Sequence, residues 1–345
     1  MLPSAERLTG LTLDGGWKVI SPAPKDTNAT GGFFSKCYFV ENADGRKAFL
    51  KALDISHAFS EDDPALALQA LVEAFNFERQ VLEKCRDASL DHIVIAIDDG
   101  KVKIENAMDG GVVQYLIFEL ADGDVRRQAT INNRLNVAWS LRSLHHIAVG
   151  LQQIHGQGIA HQDLKPSNVL VFNGNTSKIG DFGRSAYKGH IPPHENSNIA
   201  GDWTYAPPEL LYGYVDPDWN RRRFGCDAYL MGSMALFFFL GAGATPLLLN
   251  ELPEEFAWDT WRGSFEDVLP YLHDAFQRLL SIYSASLPES LRGELTEIVS
   301  QLCMPDPRLR GHPRNRVINQ FSMERYISKL NLLAKSAELG ILDLS

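Results

Sequence analysis

The chain has 345 residues, 45% of them hydrophobic and 10% aromatic, with 33 basic against 43 acidic side chains and a net charge of −10. That apolar content excludes an intrinsically disordered chain, and the acidic balance argues against a general nucleic-acid binder, because phosphate backbones attract a basic surface. At roughly 100–200 residues per domain, the length suits two domains or one large two-lobed domain.

Residues 1–16 have mixed polarity and lack the apolar run of a signal peptide. Short apolar runs at 17–20, 37–41 and 47–53 read as strands, the last two flanking a hairpin turn, Asn42-Ala-Asp-Gly45. Residues 65–86 follow a helical period with Leu71, Phe75 and Leu82 on one stripe, and further strands are expected at 93–97, 102–104 and 114–120. After Gly123 the pattern turns helical: Leu141, Leu144, Ile147, Ala148, Leu151 and Ile154 mark an amphipathic helix. Arg221-Arg-Arg223, the one dense basic run, reads as a solvated loop. No charge occurs over 228–250, long enough for a membrane span, but Gly241, Gly243 and Pro246 end a helix near Leu240, so the stretch reads as a buried core helix. Cys37, Cys85, Cys226 and Cys303 are too widely spaced for a CxxC pair or zinc cluster and read as reduced thiols. The expected fold class is α+β, a sheet-rich part followed by a larger helical part, with a boundary near Ala121-Asp-Gly123.

The chemistry concentrates in His161-Gln-Asp-Leu-Lys-Pro-Ser-Asn168, which packs Asp163, Lys165 and Asn168 into one loop, and in Asp181-Phe-Gly183 thirteen residues beyond Asn168. This set suits phosphoryl transfer. One carboxylate receives the nucleophile's proton and the ammonium offsets charge on the moving group, while an amide and a second carboxylate supply hard oxygen ligands for Mg²⁺.

In this order and spacing the motifs resemble those of eukaryotic-type (Hanks-type) serine/threonine protein kinases, over about residues 17–313. His161 to Asn168 is similar to the family's H-R-D-L-K-x-x-N loop, Asp181-Phe-Gly183 to its metal-binding motif and Ala206-Pro-Pro-Glu209 to its A-P-E. Asp227 matches the acid that opens the buried helix, and Arg310 the arginine that pairs with the A-P-E glutamate. The resemblance implies a bilobal kinase fold: a small antiparallel sheet with one regulatory helix, then a larger, mainly helical lobe. The implied organisation is an N-terminal segment (1–16), an ATP-binding lobe (17–121), a catalytic and substrate-platform lobe (122–335) and a tail (336–345).

It also implies roles upstream. Lys51 resembles the lysine that holds the α- and β-phosphates, and the helical stripe selects Glu78 as its partner, since an inward carboxylate needs a cation. Glu73 and Glu83 lie off that stripe. The glycine-rich phosphate loop falls on residues 30–37, with Gly31, Gly32 and Ser35 as its contacts. Phe118 resembles a gatekeeper, Glu119 and Ala121 would contact adenine, and Asp124 would reach the ribose. Asn168 and Asp181 are the implied metal ligands. His161 is expected to be structural, packed with Phe182.

The implied function is an ATP- and Mg²⁺-dependent serine/threonine protein kinase, with Asp163, Lys165, Lys51 and Glu78 as its catalytic set. Its partner is a protein substrate bearing a Ser or Thr acceptor, and autophosphorylation is compatible with it; neither nucleic acid nor membrane is expected. The compact style resembles stand-alone bacterial kinases and points to a cytoplasmic enzyme. Two departures stand out. Gln162 replaces the usual arginine, so activity is expected without activation-loop phosphorylation, and Asp202 replaces a threonine and could pair with Lys165. With the degenerate glycine loop, Asp202 supports an alternative reading as a pseudokinase that binds nucleotide or a partner. A small-molecule phosphotransferase is disfavoured by Glu209 and Arg310.

Overall fold

In the computed structural model, which describes residues 2–24, 35–107, 109–131 and 136–343, the chain divides into a sheet unit, Met1–Ser89 with Val94–Ala121, and a helical unit, Leu90–Ile93 with Asp122–Ser345. The architecture is α+β.

The sheet unit contains β1 (Lys18–Pro22), β2 (Ser35–Glu41), β3 (Lys47–Leu53), helix α1 (Pro64–Asp87), β4 (Ala96–Lys103) and β5 (Val112–Glu119). Its five strands are antiparallel in the order β1-β2-β3-β5-β4. The β2–β3 hairpin forms where the sequence places it: the Asn42 side chain accepts from the backbone N–H groups of Asp44 and Arg46, and Gly45 takes φ 78°. Alternation along β2 and β3 sends Tyr38, Val40, Ala48, Leu50 and Ala52 into one core. The strands expected at 93–97 and 102–104 are instead one strand beginning at Ala96. The Asp98-Asp-Gly100 run that reads as a break is absorbed by a register shift between Ala96 and Asp98, with Asp98 accepting from the Trp17 indole N–H at 3.0 Å. The segment before β1 is also not separate, because Ala5, Leu8 and Leu13 are buried in the sheet core and the Tyr38 hydroxyl donates to Ala5 O at 2.6 Å.

The helical unit contains β6 (Gly123–Asp124), α2 (Val125–Ile131), α3 (Val137–Gly156), β7 (Ile159–Ala160), β8 (Val169–Phe172), β9 (Thr176–Ile179), β10 (Ala186–Tyr187), α4 (Pro208–Leu211), α5 (Trp219–Leu240), α6 (Ala244–Asn250), α7 (Phe265–Ser286), α8 (Glu289–Leu302) and α9 (Glu324–Glu338). Helix α9 overlaps the expected tail by three residues. All six stripe residues of α3 are buried, and α3 packs against α5 and α9. Helix α5 is capped by the Asp218 carboxylate and ends at Gly241 (φ 79°). By length and composition it could cross a membrane, but most of its side chains are packed within the unit. The basic run at 221–223 is its first turn, not a loop, and Arg223 is only 3% exposed. Its guanidinium finds acceptors far along the chain that local sequence does not reveal.

Candidate active site

In the sheet unit, β3 carries Lys51 opposite Cys37 on β2 and Leu116 on β5. Its ammonium lies 2.8 and 3.1 Å from the two Glu78 carboxylate oxygens. Glu78 is 5% exposed on the buried face of α1, beside Phe75, Val81 and Leu82. Such a carboxylate needs a cationic partner, because losing one member of a buried pair costs about 3–5 kcal/mol. Arg79, the next residue on α1, ties the helix to β4 through Asp99 at 3.3 Å. Glu73 is exposed, as expected, whereas Glu83 is half-buried and 3.8 Å from Arg79. Ser35 opens β2, paired with Leu53; Gly31 and Gly32 lie outside the described residues. Phe118 and Glu119 end β5, paired with Phe49 and Ala48, and Ala121 is half-buried.

In the helical unit Asp124 opens the first turn of α2, where its Oδ1 accepts from the Arg127 backbone N–H at 2.8 Å, and its carboxylate keeps further acceptor sites. The residues 161–168 form a dense hydrogen-bonded loop after β7. Asp163 Oδ1 accepts from the Asp202 backbone N–H at 2.8 Å, and Oδ2 accepts from Asn168 Nδ2 at 3.0 Å. Lys165 Nζ lies 3.2 Å from Asp163 and 3.3 Å from Asp202, so the acid at 202 does pair with Lys165. Burial pushes the Asp163 carboxyl up from its ordinary range; Lys165 opposes this and Asp181 adds to it. Gly180 donates its N–H to Asn168 O at 2.8 Å and its carbonyl meets His161 Nε2 at 2.9 Å, which brings Asp181 alongside the loop. His161 is fully buried, edge-on to Phe182 at 5.0 Å. Gln162 (φ 64°) and Asp181 (φ 60°) both adopt left-handed backbone, a conformation that persists in non-glycine residues only where the surroundings fix it. Asp227 on α5 is one such fixture, accepting from the N–H groups of His161 and Gln162 at 2.8 and 2.7 Å.

Three features escape sequence reasoning. Arg223 donates to Gln162 Oε1 and to Glu195 Oε2, both at 2.5 Å, and Arg222 donates to Glu195 Oε1 at 2.6 Å. Burial pushes the neighbouring His194 ring down to about 4, with Arg223 and Arg184 adding to the shift. Gly201 abuts the loop so closely that a Cβ would lie 2.5 Å from Gln162 O and 2.6 Å from Asp163 Oδ1. The Arg310–Glu209 pair, by contrast, is one the sequence motifs imply, and it is buried and bidentate at 2.6 and 2.7 Å.

The donor set fits a hard divalent cation. The Asn168 NH₂ group is engaged by Asp163, which identifies the other amide atom as the carbonyl oxygen, and Asp181 adds a carboxylate.

The sequence profile of the family described as "Protein kinase domain" matches residues 30–321. Among individual proteins, the chain is 30% identical over 128 residues to the "Aurora/IPL1-related protein kinase 2" of Caenorhabditis elegans (37% of this chain, 39% of that one). It is 23% identical over 197 residues to an "Aurora kinase" of Debaryomyces hansenii (57% and 41%), and 29% identical over 209 residues to "Serine/threonine-protein kinase PknA" of Mycobacterium tuberculosis (59% and 43%). The chain therefore spans about two-fifths of the length of these relatives.

Proposed function

The chain belongs to the protein kinase family, and from that premise we propose that it is an ATP- and Mg²⁺-dependent serine/threonine protein kinase of the non-RD type. The observation that carries this reading is the Asp163–Lys165–Asn168 cluster with Asp181 alongside. Lys165 supports a serine/threonine acceptor, since tyrosine kinases usually lack lysine at that place.

In this reading Asp163 accepts the proton of the substrate hydroxyl as the new O–P bond forms and the bond from the γ-phosphorus to the β–γ bridging oxygen breaks, releasing ADP. Its raised carboxyl pKa makes it a better proton acceptor than an ordinary exposed aspartate. Lys165 offsets charge on the transferring group, and Asp202 and Asn168 fix the Asp163 carboxylate so that no reorganisation is needed at the moment of transfer. Lys51, oriented by Glu78, holds the α- and β-phosphates. Asn168 and Asp181 would hold Mg²⁺, which when bound neutralises phosphate charge. The Glu195–Arg223–Gln162 contacts support activity without a phosphate in the activation segment.

The test is transfer from labelled ATP·Mg²⁺ to a generic protein substrate, followed by phosphoamino-acid analysis, beside Asp163→Asn and Asp181→Asn. Each variant is expected to melt normally and to lose transfer by at least about 10²–10⁴-fold. Near-wild-type turnover in both would refute the reading.

A further inference from the structure

We propose that Trp203 and Trp258 form a docking surface for a cationic side chain, Lys or Arg, of the protein substrate, so that the enzyme selects acceptors with a basic residue nearby. The proposal rests on the kinase reading above.

The two indoles are 56% and 38% exposed, with ring centroids 6.0 Å apart and planes inclined at 55°. Exposed apolar side chains gathered into one patch, unlike singly scattered ones, mark interaction sites, and the two indoles lie together. Both rings stand on pinned backbone. Trp203 follows Asp202, whose N–H is bonded to Asp163 and whose carboxylate accepts from the backbone N–H and the hydroxyl of Thr204 at 3.0 and 2.7 Å. Trp258 sits on a turn closed by Trp261 N–H to Ala257 O at 2.8 Å and by the Thr260 hydroxyl to Glu254 O at 2.7 Å. Beside that turn, Phe256 is stacked on Tyr271 at 3.7 Å, and the Tyr212 hydroxyl holds Phe256 O at 2.6 Å. A platform set in advance loses little entropy on binding.

Charge decides the occupant. Glu254, Glu255 and Asp259 on the Trp258 turn are all exposed, and Arg262, a cation beside that turn, is folded back onto the Asp259 and Trp261 carbonyls at 2.8 and 3.0 Å. An indole face in a negative field attracts an ammonium or guanidinium within about 6 Å of its centroid. The position sets the register. Trp203 is one residue from the group bonded to Asp163, and an extended peptide advances about 3.3–3.6 Å per residue, so the selected side chain falls within about four residues of the acceptor hydroxyl.

The experiment uses the full chain and a set of peptides with one Ser acceptor, in which each of the four positions on either side is Arg, Lys, Gln, Leu or Glu in turn. Expected is a kcat/KM for Arg or Lys about fivefold above Gln at one or more positions, carried mostly by KM and weakened by added salt. Trp203→Ala, Trp258→Ala and Asp259→Asn should each shrink that ratio, and Trp258→Phe should restore part of it, with melting curves confirming folded protein. A preference for Leu, no basic preference, or a basic preference that survives in both tryptophan variants overturns the proposal while leaving the kinase reading intact. No transfer to any peptide or protein overturns both.

Discussion

Replacing Glu195 by Gln should lower activity without any change in phosphorylation. In the native segment one carboxylate accepts from two guanidinium groups, Arg222 at 2.6 Å and Arg223 at 2.5 Å, and Arg223 in turn holds Gln162 next to Asp163. A charge-assisted hydrogen bond contributes about 1.5–3 kcal/mol net, and stripping a buried cation of its partner costs about 3–5 kcal/mol. Arg223 is 3% exposed but the Glu195 side chain is 36% exposed, so solvent screening discounts the larger figure to about 2 kcal/mol. Glutamine keeps one acceptor oxygen but removes the charge, leaving two like-charged guanidiniums side by side. At about 1.4 kcal/mol per factor of ten, the equilibrium constant for the ordered segment should fall by roughly 10–30-fold, and kcat by up to that factor. The assay compares initial rates on an exogenous substrate for wild type and Glu195→Gln, both fully dephosphorylated. If the variant keeps wild-type kcat, or if dephosphorylated wild type loses more than about tenfold and regains it with one phosphate at Ser185, Tyr187, Ser197 or Thr204, the carboxylate is not what orders the segment.

Lys51→Met should lose phosphoryl transfer more than nucleotide binding, because in the proposed reading the ammonium held by Glu78 contacts phosphates and not adenine; calorimetric titration with ATP beside a rate assay checks this. Gly201→Ala should cut kcat by about 100-fold or more and lower the melting temperature, since its Cβ meets Gln162 O and Asp163 Oδ1 and the catalytic loop must shift to admit it. On the acid side, the raised Asp163 carboxyl should place the lower limb of the kcat/KM profile above the ordinary carboxylate value of about 4, and Asp163→Glu should move that limb. Stability should fall over a neighbouring window. The His194 ring titrates at about 4 in the fold against about 6.5 unfolded, so the unfolded chain takes up the proton first. The stability is fully present above about pH 6.5 and is lost as pH falls through about 4, up to about 3 kcal/mol from this group. Urea midpoints between pH 7.5 and 4.5 should fall steeply for wild type and less so for His194→Gln.

What the sequence shows plainly is what neighbours along the chain determine. The Asn42–Gly45 turn, the α3 stripe and the Glu78 interruption of an apolar face are local patterns, and so are the compact motifs around Asp163 and Asp181. What stays hidden depends on partners distant in sequence. The pairing of Arg223 with Glu195 joins residues 28 apart, so a buried cation reads as part of a basic, solvated run. Gly201 is one more glycine in the sequence, and its closeness to Asp163 exists only after both loops are in place.

The burial of Ala5, Leu8 and Leu13 bears on where this protein can be cut. The family profile begins at residue 30, yet a chain trimmed to that point would also lose Trp17 and all of β1, open one face of the sheet, and leave the Tyr38 hydroxyl without Ala5 O. Three large apolar side chains, Leu8, Leu13 and Trp17, at about 1.5–3 kcal/mol each come to roughly 5 kcal/mol or more, as large as the whole stability of many domains. Lys36, which pairs with Glu6 and lies 3.5 Å from the buried Asp54, would keep only the second of its two acids. The unit that folds is longer than the unit that sequence profiles recognise, and losing residues 1–17 would strip the lysine-bearing sheet of Ala5, Leu8, Leu13 and Trp17 from its core.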